Sequence, residues 1–280
     1  MRALDAALAR AAEERRGALA PFLVLGDPDP DTSLALLEAL AAAEPDFLEL
    51  GLPFSDPPAD GPIIQAADQR ALAAGVTTGS AFALLGRLRE RSTIPISLLV
   101  HANPILAAGI DAFYRRAREV GVDAVLVADV PLEEAGPFVA AARRVDIAPV
   151  FLATPLTPAG RLGEIAALSS SYVYVLAQVG VTGERAGVSP RLSPLLASLR
   201  RRTALPLLAG FGIRGPDEVR GVIEAGADGA IVGSALVRLV DETPRAGLPE
   251  LMHARAAALV AAARSATPPR SAALAPPMRT

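Results

Sequence analysis

The sequence predicts a single (β/α)8 barrel, the TIM-barrel architecture, with one extra helix at its N-terminal end. Three observations lead there. Eight short apolar runs recur along the chain, separated by amphipathic segments of helix length. The runs are apolar almost throughout instead of alternating with polar residues, as strands of a parallel sheet covered on both faces must be. One phrase, a helix end, a tight turn, an Asp and then a strand, returns at Glu44-Pro45-Asp46, Gly121-Val122-Asp123 and Gly226-Ala227-Asp228. Eight such units within roughly 230 residues suit one barrel better than two domains. A doubly wound open sheet is the alternative.

Residues 2–15 pattern as the extra helix, with Leu4 and Leu8 one turn apart and Gly17 as the stop. Ala20 to Leu25 is the first strand, ended by the turn cluster Gly26-Asp27-Pro28-Asp29-Pro30. Asp31 or Thr32 is expected to cap the helix that runs on to about Glu44, where Pro45 forbids continuation. The further strands are expected over 47–50, 96–100, 124–128, 149–152, 172–176, 205–209 and 229–232. Helices are expected over 78–91, 110–120, 132–145, 157–168, 192–202, 216–225 and 234–240, and a last one over 247–265. Residues 1–265 thus form the expected barrel domain, and the Pro/Ala-rich stretch 266–280 is expected to be a disordered tail.

Composition excludes several kinds of chemistry. Of 280 residues 51% are hydrophobic, ample for a large core, and a net charge of −3 gives no reason to expect nucleic acid or an anionic membrane as partner. The absence of cysteine removes thiol nucleophiles, disulfides and thiolate metal sites. There is no lysine either, so Schiff-base catalysis is out. His101 and His253 are the only histidines, and no His/Asp/Glu cluster has ligand spacing, so no metal is expected. No run is long enough to span a membrane, and the charged residues near the start break any signal-like stretch, so a cytoplasmic protein is expected.

The residues that stand out lie in Asp46-Phe47-Leu48-Glu49-Leu50-Gly51 and in the loop Pro53-Phe54-Ser55-Asp56-Pro57-Pro58-Ala59-Asp60-Gly61-Pro62. Side chains alternate along a strand, so Glu49 shares a face with Phe47 and Gly51 where an apolar residue would be expected. A carboxylate stripped of water must find a partner, stay protonated or face a wet pocket. A structural ion pair and a site are both open at this point. Barrel sites are built at the carboxyl ends of the strands, which puts Glu49 at the mouth and Asp56 and Asp60 in a wall or lid. Asp60 also suits a cap for a helix starting at Gly61-Pro62, and Asp56 a turn. Gly210-Phe211-Gly212-Ile213 and Gly233-Ser234 follow the last two strands, where free backbone N–H groups and a helix start suit a phosphate. Gly180-Val181-Thr182-Gly183-Glu184-Arg185 reads as a loop hinged to close over substrate, or as an ordinary surface loop. His101 also stands at the mouth, in the expected role of a hydrogen-bonded supporting residue.

These phrases, with Pro21-Phe22, Ile64-Gln65, Val127-Ala128-Asp129-Val130-Pro131 and Val232-Gly233-Ser234-Ala235, occur in an order that resembles the tryptophan synthase alpha subunit family over about residues 1 to 245. The resemblance implies retro-aldol cleavage of indole-3-glycerol phosphate to indole and glyceraldehyde 3-phosphate, with no cofactor. It implies Glu49 as general acid-base and Asp60 as the carboxylate that accepts the indole N–H. Gly183, Gly212, Gly233 and Ser234 are implied to bind the phosphate, and Thr182 to meet Asp60 when the loops close. Phe22, Leu99, Leu126, Tyr174, Phe211 and Ile213 would line the indole and glycerol pocket.

The implied partner is a pyridoxal-phosphate-dependent beta subunit in an αββα heterotetramer, with no pyridoxal phosphate on this chain. A stand-alone lyase and a non-catalytic phosphate-binding regulator of the beta subunit are the competing readings. Two departures stand against the family pattern: Ala177-Gln178-Val179, where a serine is usual at the first position, and His101, where tyrosine is usual.

Overall fold

The computed structural model describes residues 1–58, 60–177 and 189–269. Its strands are β1 (Ala18–Val24), β2 (Leu48–Gly51), β3 (Ile96–Val100), β4 (Ala124–Val127), β5 (Ala148–Ala153), β6 (Val173–Leu176), β7 (Leu207–Gly210) and β8 (Gly229–Val232). They pair in parallel in chain order, and β8 returns to β1 with Ala18 opposite Gly229 and Pro21 opposite Val232. That closure excludes the open sheet.

The helices are α1 (Ala3–Glu13), α2 (Pro30–Ala42), α3 (Pro62–Ala73), α4 (Thr78–Arg89), α5 (Ala102–Ala108), α6 (Ile110–Glu119), α7 (Gly136–Arg144), α8 (Ala159–Leu168), α9 (Leu192–Arg200), α10 (Pro216–Glu224), α11 (Ser234–Glu242) and α12 (Leu248–Ser265). The tail expected beyond Ser265 lies outside the described residues from 270 onward. Among the described residues no single helix is long and apolar enough to cross a membrane.

Four local features depart from the sequence expectation, each for a backbone reason. Asp29, not Asp31 or Thr32, caps α2: its carboxylate accepts the Thr32 N–H at 3.0 Å, and Pro30 opens the helix where a missing N–H costs nothing. The segment 132–145 splits into a single 3₁₀ turn (Leu132–Glu134) and α7, because Pro137 has no N–H to continue a helix from Leu132. Two helices absent from the expected list appear, α3 and α5. The cap of α3 is Gly61 without a side-chain bond, so Asp60 is released from the capping role.

The repeated turn-Asp phrase has one physical cause. Each of these aspartates precedes an even-numbered strand and accepts a backbone N–H from the first or second residue of the strand before it. Asp46 takes the N–H of Leu19 at 2.9 Å, Asp123 that of Ile96 at 3.0 Å, and Asp228 that of Leu207 at 2.7 Å. Arg16 grips Asp46 through two nitrogens at 2.9 and 3.0 Å, and Arg200 pairs with Asp228. At the corresponding place between β5 and β6 the hydroxyl of Ser169 accepts the N–H of Phe151.

α1 closes this amino-terminal end of the barrel. It buries Leu4, Ala7, Leu8 and Ala11, the Leu4 N–H reaches Asp123, and the Ser171 hydroxyl donates to Asp5. Fully burying one leucine stabilises by about 1.5–3 kcal/mol, so this helix is part of the core.

Candidate active site

The parallel register sets which side chains face the barrel axis. Phe22, Glu49, Ser97, Ala124 and Ala148 stand at one level, and Gly51, Leu99, Leu126 and Val150 at the next level toward the carboxyl end. A slip of one residue in β2 would turn Glu49 out of the barrel and Leu50 into it. Glu49 is only 1% exposed, the lowest value of any acidic residue among the described residues.

The hydroxyl of Tyr172 donates to Oε1 of Glu49 at 3.2 Å, and the Ser97 hydroxyl lies 2.9 Å from that of Tyr172. Oε2 has no hydrogen-bond partner among the described residues. Burial pushes the Glu49 carboxyl up to about 8, against a smaller opposing pull from Tyr172. At neutral pH Glu49 therefore carries a proton, and its unpaired oxygen is the atom able to deliver it. The sequence reading of a carboxyl that must be paired, protonated or wet resolves as a protonated acid at a cavity wall.

Asp60 comes from the loop after β2 and is 8% exposed. Burial raises its carboxyl, and His101 nearby pulls the other way. The loop is anchored on both sides of Asp60. Upstream, the Phe54 ring stacks on His101, with centroids 4.9 Å apart and planes at 23°. Downstream, the Gln65 side-chain amide donates to the Asp60 carbonyl at 2.8 Å. His101 thus supports the loop by stacking and not by the expected hydrogen bonding, since neither ring nitrogen has a partner among the described residues. α3 is in turn clamped to the loop after β1 by Arg70, whose guanidinium meets both oxygens of buried Asp27 at 2.7 and 2.8 Å. Asp56, which accepts a hydrogen bond from the Ser55 hydroxyl, is exposed and does not line the cavity.

The opposite wall is glycine-rich because the space is already taken. A Cβ at Gly210 would fall 2.1 Å from the Tyr174 hydroxyl. Phe211 and Gly212 take consecutive positive φ values of 69° and 80°, turning the chain sharply after β7. Tyr174 meets Phe211 edge to face at 5.9 Å. Gly233 caps α11 and Ser234 is its first residue, so the unpaired N–H groups and positive end of that helix are at the mouth.

One cavity collects these parts. It is lined by Phe22, Glu49, Asp60, Leu99, Tyr174, Phe211, Gly212, Ile213, Gly233 and Ser234, together with Ile64 and Ile231. Leu126 faces the barrel axis beside Leu99 but lies one strand further round and does not line the cavity. Thr182 and Gly183, and with them the proposed hinge 180–185, lie outside the described residues. So do Gln178 and Val179.

Sequence reasoning had no place for Tyr172, Ile64, Ile231 or Asp68. The signal for Tyr172 was present: two of the chain's three tyrosines alternate in one short strand, and a buried hydroxyl needs a partner. Asp68 on α3 is 4% exposed, with the Phe54 N–H directed at it and Oδ2 unpartnered among the described residues. Burial, reinforced by the nearby Asp60, pushes its carboxyl up to about 8.

The chemistry these groups offer is an acid in an apolar chamber, a second carboxyl in the same cavity, and backbone N–H groups suited to an anion. The family model of the tryptophan synthase alpha chain matches residues 8–266. The tryptophan synthase alpha chain of Edwardsiella ictaluri is 51% identical over 227 residues, covering 81% of this chain and 85% of the relative. That of Escherichia fergusonii is 46% identical over 268 residues, covering 95% and 99%. Among solved structures, the alpha chain from Legionella pneumophila superposes with a TM-score of 0.84 at 31% identity, covering 94% of this chain and 97% of that one. A structure described for mutual activation of the tryptophan synthase α2β2 complex of Pyrococcus furiosus superposes with a TM-score of 0.82 at 37% identity, covering 88% and 99%. The chain belongs to the tryptophan synthase alpha chain family.

Proposed function

We propose that this site cleaves indole-3-glycerol phosphate to indole and glyceraldehyde 3-phosphate. The role that follows from family membership is that of an alpha chain of tryptophan synthase, a lyase of tryptophan biosynthesis. The observation that carries the specific reaction is a protonated, buried Glu49 in the same cavity as the backbone N–H groups of Gly212 and Ser234.

The steps balance on this chain's own groups. Glu49 gives its proton to C3 of the indole ring, and the ring nitrogen takes up positive charge as the indolenine forms. Asp60, as carboxylate, accepts the ring N–H and stabilises that charge. The glycerol hydroxyl next to the ring then loses its proton to the Glu49 carboxylate, the C–C bond breaks, and the electron pair returns to the ring. Glu49 ends as it began, protonated. Phe22, Leu99, Ile64 and Ile231 offer apolar surface for the indole. Gly212, Gly233 and Ser234 offer backbone N–H groups and a hydroxyl for the phosphate. Thr182 and Gly183 keep the roles that the family resemblance implies.

The proposed partner is a tryptophan synthase beta subunit in an αββα assembly. The Pyrococcus furiosus neighbour, whose description speaks of mutual activation in the α2β2 complex, supports this reading. The test is indole formation from indole-3-glycerol phosphate by the isolated chain and by Glu49→Gln, each with and without a beta subunit. Slow turnover that the partner accelerates and Glu49→Gln abolishes is the expected result. Turnover that survives Glu49→Gln would overturn the assignment, and fast turnover unaffected by the partner would make the chain a stand-alone lyase.

A further inference from the structure

β3 is apolar except for Ser97, a hydroxyl that the apolar pattern of a strand covered on both faces leaves unexplained. The register places it opposite Glu49 of β2, facing the barrel axis, and it is 0% exposed. Tyr172 comes from just before β6, which stands diametrically across the closed barrel from β2. Its side chain therefore spans the interior, where the axis-facing Ala124 and Ala148 of the intervening β4 and β5 leave room, and its ring packs on Phe47 with centroids 5.6 Å apart. At the far side the Tyr172 hydroxyl meets that of Ser97 at 2.9 Å and Oε1 of Glu49 at 3.2 Å.

Ser97, Tyr172 and protonated Glu49 each bring one hydrogen, and the chain they form has fewer links than hydrogens. One hydrogen must go without an acceptor, and the direction of donation decides which. If Ser97 donates to Tyr172, the hydrogen of Tyr172 is directed to Oε1, which serves as the accepting carbonyl oxygen. The proton of the acid then sits on Oε2, the oxygen without a partner among the described residues, at the wall of a cavity where an incoming molecule can accept it. In the reverse direction Glu49 donates from Oε1 to Tyr172, Tyr172 donates to Ser97, and the Ser97 hydrogen is stranded. Ser97 has no other hydrogen-bond partner among the described residues and lies in closed core, where an unmade donor costs more than a made hydrogen bond contributes. The first direction therefore prevails. The other titratable groups around Glu49 are Tyr174 of β6 and Asp60 of the loop after β2; neither is a cation and neither bonds Oε1.

We propose that Ser97 is a positioning residue for the Glu49 acid: by donating to the Tyr172 hydroxyl it commits the single hydrogen of Tyr172 to Oε1 and keeps the proton of the acid on Oε2. The inference deepens the lyase reading above and rests on it for the use made of that proton. Ser97 touches no reacting atom and acts through Tyr172 alone, so its influence on Glu49 must disappear when the Tyr172 hydroxyl is gone.

The test is a double-mutant cycle read on Glu49 itself. The full chain, Ser97→Ala, Tyr172→Phe and the double variant are prepared with glutamate isotope-labelled at the side-chain carboxyl and titrated by NMR, the Glu49 signal being assigned by its loss in Glu49→Gln. Alanine already stands at the same level of the barrel in Ala124 and Ala148, and thermal melts check that each variant is folded. One hydrogen bond strengthens the next by about 10–30%, so Ser97→Ala should move the Glu49 titration upward by about 0.1–0.6 pH, and should move it no further in the Tyr172→Phe background. An unmoved or lowered titration overturns the proposal, and so does an equal movement in both backgrounds. The lyase rate is then followed against pH for the same four chains with a beta subunit. Its alkaline fall should track the Glu49 titration in kcat while KM stays unchanged. A titration that moves as expected while the alkaline fall does not would leave the hydroxyl chain standing and overturn the reading of Glu49 as the acid of the lyase reaction.

Discussion

The two ends of the barrel use their carboxyl groups differently. At the amino-terminal end Asp46, Asp123 and Asp228 each accept a backbone N–H from the neighbouring strand, and Asp46 and Asp228 also hold an arginine. At the carboxyl end Asp27 likewise holds an arginine, but Glu49, Asp60 and Asp68 are buried, more so than the half-buried Asp228, none of the three pairs with a cation among the described residues, and burial raises all three. Paired carboxylates tie strands together. Unpaired Glu49 and Asp68, each pushed up to about 8, keep their protons near neutral pH, which costs stability and creates an acid, while Asp60 is raised by burial and pulled back by His101. The difference teaches that burial alone does not mark a site; burial without a counter-charge at the strands' carboxyl ends does.

The largest effect that separates the ends is on catalysis. Glu49→Gln keeps the shape but has no proton to give, so the lyase rate should fall by at least about 10²–10⁴-fold while the melting curve stays cooperative. A variant that retains turnover would break the comparison at its main point.

At the other end Asp46→Ala leaves the Leu19 N–H without its acceptor and the Arg16 guanidinium with only Glu14 and the Gly17 carbonyl, and a buried donor left unsatisfied costs about 1–3 kcal/mol. Chemical denaturation should register that loss, with turnover per folded molecule unchanged. A fall in turnover without a fall in stability would show that the lower end is not purely structural.

Smaller effects sharpen the contrast. A carboxyl whose folded value is raised contributes stability that is present below its unfolded value and lost as pH rises through the folded one. For Asp68 that window runs from about 4 to about 8. Asp68→Asn removes the group, so its melting temperature should exceed that of the unaltered chain by a few degrees at pH 9 and match it near pH 4. The reverse order would mean that Asp68 is held as a paired carboxylate after all. Smallest is the expected effect of Tyr172→Phe. The Tyr172 hydroxyl holds Glu49 down, so removing it should move the alkaline fall in lyase rate, expected at about pH 8, to higher pH. A shift to lower pH would assign the dominant influence on Glu49 to another group.

Much of this was legible in the chain. Apolar runs and turn chemistry specify the eight strands to within two residues at almost every end, because a buried parallel strand has few other places to go. The glycines after β7 and β8 and the acid within β2 stood out for the same reason: each breaks a local rule that a structural residue would obey. The misses are equally physical. α3 and α5 start on weak signals, a glycine cap and a His101 whose side chain makes no cap hydrogen bond, although the Gly61-Pro62 start of α3 came with the reading of Asp60 as a cap. Asp29 outcompeted Asp31 and Thr32 as a cap because Pro30 set the first turn. Ile64, Ile231 and Tyr172 are ordinary residues locally, and only their meeting in one cavity gives them a role.

By itself, then, the amino-acid sequence determined the barrel, the end of it that carries the chemistry, and the residue types available to do it, since periodicity, turn geometry and composition are properties of neighbours along a chain. Only the tertiary structure decided which carboxyl groups are charged. Protonation depends on how much water and which charges lie within a few ångströms, and for Glu49 the relevant neighbours, Ser97 and Tyr172, arrive from strands far apart in sequence.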